Sequence, residues 1–487
     1  MLFNSYIFIF MFLPIALAGY HGSNYFKLYR ISNMFLIGMS LWFYGYFNKS
    51  YLLIICGSIL VNFLISKMMA YWERKKNLKR FLLILGICLN TAIIFYFKYF
   101  DFFIENINAV FGRSFGLKNI VLPLGISFFT FQQISYMVDS YRGETKGYRL
   151  DEYALFVSFF PQLIAGPIVL HSEMIPQFRD PDTHRMIPEN LSKGMYIFAL
   201  GLFKKVIIAD TFGKAVSFGF GTIDTLSSME ALLVSLSYTF QLFFDFSGYC
   251  DMATGIGYLF NIELPVNFNS PYKATSIVEF WERWHISLTR FLRTYIYIPL
   301  GGNRKGKLRT YLNIMIVYLV SGIWHGANWT FILWGLLHGI LNCLNRLFRK
   351  PWEKLGEITR WAVTFMTINM LWILFRAEDI ASAKLFIKNM CCLSSFTVRE
   401  ELYDCFRLIE FTVMEDEMAF LRFLTSRITG FYLWIFILGA FFCVLNFRNS
   451  REIDFKPTAI RSLLTVIFML WSVVSLSGIS TFLYFDF

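Results

Sequence analysis

Charge is scarce in this sequence. Asp, Glu, Lys and Arg together make up 16% of its 487 residues, where a soluble globular chain runs near a quarter. That shortage excludes the two or three soluble domains such a length would otherwise suit. Histidine is rarer still, with six in all. The eight cysteines stand singly inside apolar runs, Cys391 and Cys392 apart. They offer neither a metal-ligand spacing nor a disulfide framework. No P-loop, Gly-x-Ser-x-Gly elbow or His-Glu-x-x-His pair is present. No segment repeats, which withholds support from an inverted-repeat transporter. The opening apolar run lacks the basic leader and cleavage site of a signal peptide, so it reads as a first membrane span.

Apolar residues are abundant instead, at 56% with 57 Phe and a mean hydropathy of +0.52. About a dozen runs are long enough to cross a bilayer: 2–18, 33–47, 51–71, 81–97, 120–138, 194–208, 231–248, 311–325, 331–348, 361–375, 431–445 and 462–484. A further run, 153–170, is broken by Pro161, Gly166 and Pro167. Broken backbone at membrane depth needs protein or a cavity around it, so this run reads as re-entrant. The expectation is one all-α polytopic domain over residues 1–487. The formal charge of +12 suits basic inner loops, and no soluble basic domain exists that would bind nucleic acid. Lys27 and Arg30, the cluster 74–80, the arginines and lysines of 283–309, those of 346–354, and Arg448, Arg451 and Lys456 all fall on one side if the broken run does not cross. The acidic segment 399–417 falls opposite. The basic side is then cytoplasmic, with both termini outside.

Two histidines stand out by context. His325 ends the run that starts near Arg309, inside Trp324-His325-Gly326-Ala327-Asn328-Trp329. About fifteen helical residues carry the chain about 22 Å into a hydrocarbon core about 30 Å thick. An ionisable side chain at that depth is a functional candidate, and a His hydrogen-bonded between packed helices is the plainer account. His285, in Trp281-Glu282-Arg283-Trp284-His285, lies in an amphipathic stretch that reads by itself as an interfacial helix with Trp anchors. His338 reads as an interhelical hydrogen-bonding residue. His21, His171 and His184 lie in loops with no partner pattern. Asp245 and Asp251 interrupt an apolar run, and Asp245, with Phe on both sides, must face a cavity or a cation. An Arg from the cytoplasmic side is the plain partner. The turn Gly301-Gly302-Asn303-Arg304-Lys305-Gly306 could receive an anionic ligand on backbone N–H groups and side chains.

The stretch 280–309, with Trp281-Glu282-Arg283-Trp284-His285-Ile286-Ser287-Leu288 and Tyr297-Ile298-Pro299-Leu300-Gly301-Gly302-Asn303-Arg304, resembles the membrane-bound O-acyltransferase family. The Trp324–Trp329 turn is similar to that family's second marker. Leu122-Pro123-Leu124-Gly125-Ile126-Ser127-Phe128, the 159–167 stretch and Phe244-Asp245-Phe246-Ser247-Gly248-Tyr249 resemble its bacterial polysaccharide branch, the alginate-acetylating type. The likeness covers most of the chain, best over 122–339.

The resemblance implies a transmembrane tunnel with His325 as the catalytic residue and His285 as a second motif residue. It implies a cytoplasmic thioester donor, acetyl-CoA, with no bound cofactor or metal. It also implies a polysaccharide acceptor outside and an extracytoplasmic SGNH-type acetyltransferase as partner, in a bacterial cytoplasmic membrane. Asp245, Trp284, Arg293, Asn303, Arg304, Lys305, Trp324 and Asn328 are the candidate substrate contacts, Asn328 as a possible oxyanion donor. Covalent acyl-His catalysis stays open beside general-base catalysis. The competing readings are D-alanyl transfer to teichoic acid in the same family, a polysaccharide or lipid transporter, and a structural anchor for an export complex.

Overall fold

The computed structural model describes residues 1–392, 395–447, 449, 455–476 and 482–483; the expected basic residues Arg448 and Arg451 lie outside them. Helices account for the architecture. Among the described residues the only β feature is an isolated antiparallel bridge between Phe268 and Trp284. The first third of the chain forms α1 (Leu13–Tyr25), α2 (Tyr29–Gly45), α3 (Ser50–Tyr71), α4 (Lys76–Ile94), α5 (Phe100–Phe111) and α6 (Ile126–Arg142). A wide π-type turn, Phe95–Tyr99, joins α4 to α5, so the expected run 81–97 belongs to one helical rod of 36 residues.

The broken run folds as α7 (Leu150–Ser158), α8 (Phe160–Leu163) and α9 (His171–Arg179). Residues 155–169 are buried throughout, which is how a chain interrupted by prolines is sheltered from lipid. Next come α10 (Pro188–Phe203) and α11 (Asp210–Gly221), joined by a second π turn, Lys204–Ala209. They pack on α12 (Ser228–Leu259), a rod of 32 residues. Its start is fixed reciprocally: Glu230 N–H donates to Ser227 Oγ at 3.1 Å, and Ser227 N–H donates to the Glu230 carboxylate at 3.0 Å. Gly201 and Gly248 let α10 and α12 approach until a Cβ on either would meet the other's backbone oxygen at 2.6–2.8 Å.

Short helices α13 (Ile277–Arg283) and α14 (Ile286–Leu292) precede a third π turn, Arg293–Tyr297. Then α15 (Lys307–His325) and α16 (Trp329–Leu347) form a hairpin. The rest comprises α17 (Arg349–Glu353), α18 (Glu357–Arg376), α19 (Ile380–Cys391), α20 (Glu400–Asp404), α21 (Ile409–Glu417), α22 (Ala419–Arg427), α23 (Phe431–Asn446) and α24 (Ala459–Val474). Three rods, Ser50–Tyr71, Lys76–Phe111 and Glu357–Arg376, are long and apolar enough to cross a bilayer by themselves. The pair α22 and α23, bent by 92°, passes the same test jointly. Other long helices give up apolar residues for interior polar ones, such as Gln132, Gln133 and Asp139 on α6.

Arg30 pairs with Asp151, and Lys146 with Glu73, so the first basic loops share one end. At the opposite end Arg399 bonds Glu230 and Asn328 bonds the Glu378 carbonyl.

Candidate active site

The site is built around the tip of the α15–α16 hairpin. Gly322 and Gly335 make the hairpin possible. A Cβ on Gly322 would meet the Phe331 oxygen at 2.4 Å, and one on Gly335 would meet the Tyr318 oxygen at 2.4 Å. That contact delivers His325, the last residue of α15, into the interior at 4% exposure. Asn328 then starts α16, its Oδ1 accepting from Thr330 N–H at 3.0 Å and its Nδ2 donating to the Glu378 oxygen at 2.7 Å. These bonds hold the amide at the start of α16 and use one of its two Nδ2–H donors.

Aromatic rings enclose His325. Trp324 lies 4.8 Å away between ring centroids, Phe375 5.1 Å and Trp334 5.2 Å. Trp324 also contacts His285 at 6.0 Å, so the two motif histidines flank one indole. His285 is wholly buried, which corrects the interfacial reading of its stretch: Ile277, Phe280, Trp281, Trp284, Leu288 and Phe291 all point inward. It sits at φ 46° between α13 and α14. Asn267 Oδ1 faces its Nδ1 at 3.1 Å and also accepts from Ser287 N–H and Oγ–H, while Asn267 Nδ2 donates to Cys250 Sγ. An oxygen there requires Nδ1 to carry the proton, which makes Nε2 the basic nitrogen of the neutral ring. His338 bonds between helices as expected: its Nδ1 accepts from Trp281 Nε1–H at 3.1 Å.

Three cavities lie around this cluster, one of them lined by His325 itself. One of 430 Å³ lies between α13–α14 and α15–α16, lined by Trp281, Arg293, Tyr297, Asn303, Ser321 and Arg346. It brings together two expected donor contacts, Arg293 and Asn303. Arg304 and Lys305 stay exposed beside it on the glycine turn and line none of the three. A second, of 1110 Å³, is lined by Asn328, Phe331, Phe375, Arg376 and Glu378 among others. A third, of only 40 Å³, is lined by Lys98, the 122–128 turn, Ile164, Trp324 and His325 itself. Trp284 touches none of them; it packs among Phe268, Phe280 and Trp372 at ring distances of 5.0–5.6 Å.

Asp245 faces a cation, and that cation is a lysine where an Arg was expected. Lys205 Nζ lies 2.6 Å from Asp245 and 2.9 Å from Asp210, and Leu483 N–H donates to the second Asp245 oxygen. Its neighbour Lys204 pairs with Asp251 at 2.6 Å. The three histidines expected in loops lie instead on helical turns, His21 in α1, His171 at the start of α9 and His184 in the 3₁₀ turn Pro181–His184; His171 contacts Asp139 and Tyr148, His184 contacts Asn24 and the Phe178 oxygen, and His21 contacts the Leu259 oxygen.

Sequence reading missed Lys98 and Asn267. Lys98 Nζ donates to the Trp324 oxygen at 2.7 Å and the His325 oxygen at 2.9 Å, and Tyr99 Oη–H donates to the Ile323 oxygen at 2.6 Å. Both satisfy the last-turn carbonyls that every helix leaves open. The available signal was a cation inside the aromatic string Phe95–Tyr99.

Residues 36–378 match the model of the membrane-bound O-acyltransferase family. The chain belongs to that family. Its architecture is accordingly that of a polytopic integral membrane protein, and its activity that of an O-acyltransferase. A peptidoglycan O-acetyltransferase of Helicobacter pylori is 41% identical over the whole chain and 98% of its own length. A probable alginate O-acetylase AlgI of Pseudomonas putida is 37% identical over the full length of both. A teichoic acid D-alanyltransferase of Streptococcus thermophilus is more distant, 28% identical over 53% of this chain and 69% of its own.

Proposed function

We propose that this O-acyltransferase takes acetyl from acetyl-CoA at its basic, cytoplasmic end and passes it to a hydroxyl outside. That hydroxyl belongs to a cell-surface polysaccharide of the peptidoglycan or alginate kind, or to an SGNH-type acetyltransferase that completes the transfer. The observation that carries this reading is His325, buried in an aromatic cluster whose neighbours line a basic cavity on one side, through Trp281, and a larger cavity on another, through Phe375. A CoA head group is too highly charged to cross a bilayer, but its pantetheine arm can reach inward while Arg293 and Arg346 hold the phosphates. His325 accepts the hydroxyl proton as general base. His285, oriented by Asn267, positions the Trp324–His325 pair. Full-length relatives named as O-acetyltransferases support acetyl over D-alanyl.

The test uses reconstituted protein in sealed vesicles of known orientation, with labelled acetyl-CoA on one side only. Label should reach acceptor on the far side. Label that reaches acceptor only when both share a compartment refutes cross-membrane transfer.

A further inference from the structure

Lys98 is out of place for a purely structural residue. It sits in the Phe95–Tyr99 π turn of the Lys76–Phe111 rod. Cations inside spanning segments are costly and are normally paired. The lysines of the other long π turn follow that rule, Lys204 with Asp251 and Lys205 with Asp245 and Asp210. Lys98 has no carboxylate partner among the described residues; it donates to two neutral carbonyl oxygens, those of Trp324 and His325. An ammonium has three N–H donors, and these two bonds use two of them. The side chain also lines the 40 Å³ cavity that His325 lines.

We propose that this cavity is the acyl subsite and that Lys98 is a catalytic residue, supplying its third N–H to the carbonyl oxygen of the acyl group. The inference rests on the function proposed above. As the acceptor oxygen bonds to the acyl carbon, its proton passes to His325. The carbonyl electron pair moves onto oxygen, beside the Lys98 ammonium. When the intermediate collapses, C=O re-forms and the C–S bond breaks. Sulfur leaves with the bonding pair and takes the proton from His325, which returns to neutral. Fixed positive charge aimed at an oxygen that gains negative charge stabilises the transition state more than the ground state.

Size and charge make the same cavity selective. A water needs about 10–15 Å³ on this measure, so 40 Å³ admits about three heavy atoms, the number in an acetyl group. The walls are Leu122, Leu124, Phe128 and Ile164. A D-alanyl group is larger and would set its own ammonium against Lys98.

The full chain and its variants are expressed in cells lacking their own copy. O-acyl groups are released from surface polysaccharide by mild alkali and identified by mass spectrometry, with folded protein and thermal midpoint measured in parallel. Lys98→Met should slow acetyl incorporation about 100-fold at matched amounts of folded protein, and Lys98→Arg, which keeps the charge, should recover part of the rate. Leu124→Ala should raise the ratio of propionyl to acetyl at least tenfold in cells fed propionate. Normal acetylation by Lys98→Met overturns the inference. So does a rate loss that only tracks lost folded protein, together with an unchanged acyl ratio in Leu124→Ala. A wild-type chain that adds no O-acyl group overturns the proposed function, and this inference with it.

Discussion

His325 is where the chemistry converges, and single side chains around it have separable effects. His325→Ala should abolish acyl transfer while the protein still inserts and purifies, checked by product acylation in cells. Asn267→Ala removes the oxygen that faces His285 Nδ1 and accepts two Ser287 bonds. Leaving buried donors unpaired costs about 1–3 kcal/mol, so the thermal midpoint in detergent should fall along with the transfer rate. The two motif histidines were legible because each stands in a recognisable string. Asn267 was not, since its importance comes from residues eighteen and twenty positions later in the chain. Lys98 was hidden differently: aromatic neighbours made it look like the end of a span, when the helix runs on to Phe111.

Among the elements, the glycine-faced hairpin and the π turns decide where functional groups point. Gly335→Val should force α15 and α16 apart, because the new side chain would enter backbone atoms at 2.4–3.1 Å. A shift of about 1 Å at a catalytic group can cost about 100-fold in rate, so activity should fall far more than expression. The Lys204–Ala209 turn makes a different prediction. Lys205→Met takes the buried cation away from Asp245, and breaking a buried pair costs about 3–5 kcal/mol. Adding Asp245→Leu should restore much of the lost thermal stability. The apolar runs gave the helices at 33–47, 51–71, 311–325, 331–348, 361–375 and 431–445 to within about four residues. They truncated α10–α11 and α12, whose ends carry the polar side chains that cap and pair them. No hydropathy pattern reveals a π turn, because the extra residue changes side-chain direction and leaves composition alone.

For the whole molecule, sidedness follows from which loops share an end. Single cysteines placed near Lys76 and Lys305 in a cysteine-free background should resist impermeant thiol reagents in intact cells, and one near Asp416 should react. The reverse pattern would invert the direction of transfer. The sequence places the basic and acidic loops at opposite ends only as an expectation, which the cysteine labelling tests. The cavities were not readable there, since each is assembled from helices far apart in the chain.

A packed aromatic layer of Trp324, Trp334, Phe375 and His325 links Phe375, in the wall of the 1110 Å³ cavity, to Trp281, which stacks edge-on against Trp334 and lines the 430 Å³ cavity. Water filling both depressions would concentrate the membrane potential across that layer. In the proposed reaction a neutral acetyl group moves outward, while the proton leaving the acceptor hydroxyl ends on the cytoplasmic thiol. Each turnover then carries one positive charge inward through the layer. A full charge crossing the whole potential is worth about 2.3 kcal/mol per 100 mV. Vesicles whose lumen faces the cytoplasmic side of the protein, clamped inside-negative with a potassium gradient and valinomycin, should therefore turn over faster than depolarised ones at equal pH, provided the proton step limits the rate. The cell's resting voltage would then act as a driving force for decorating its own surface.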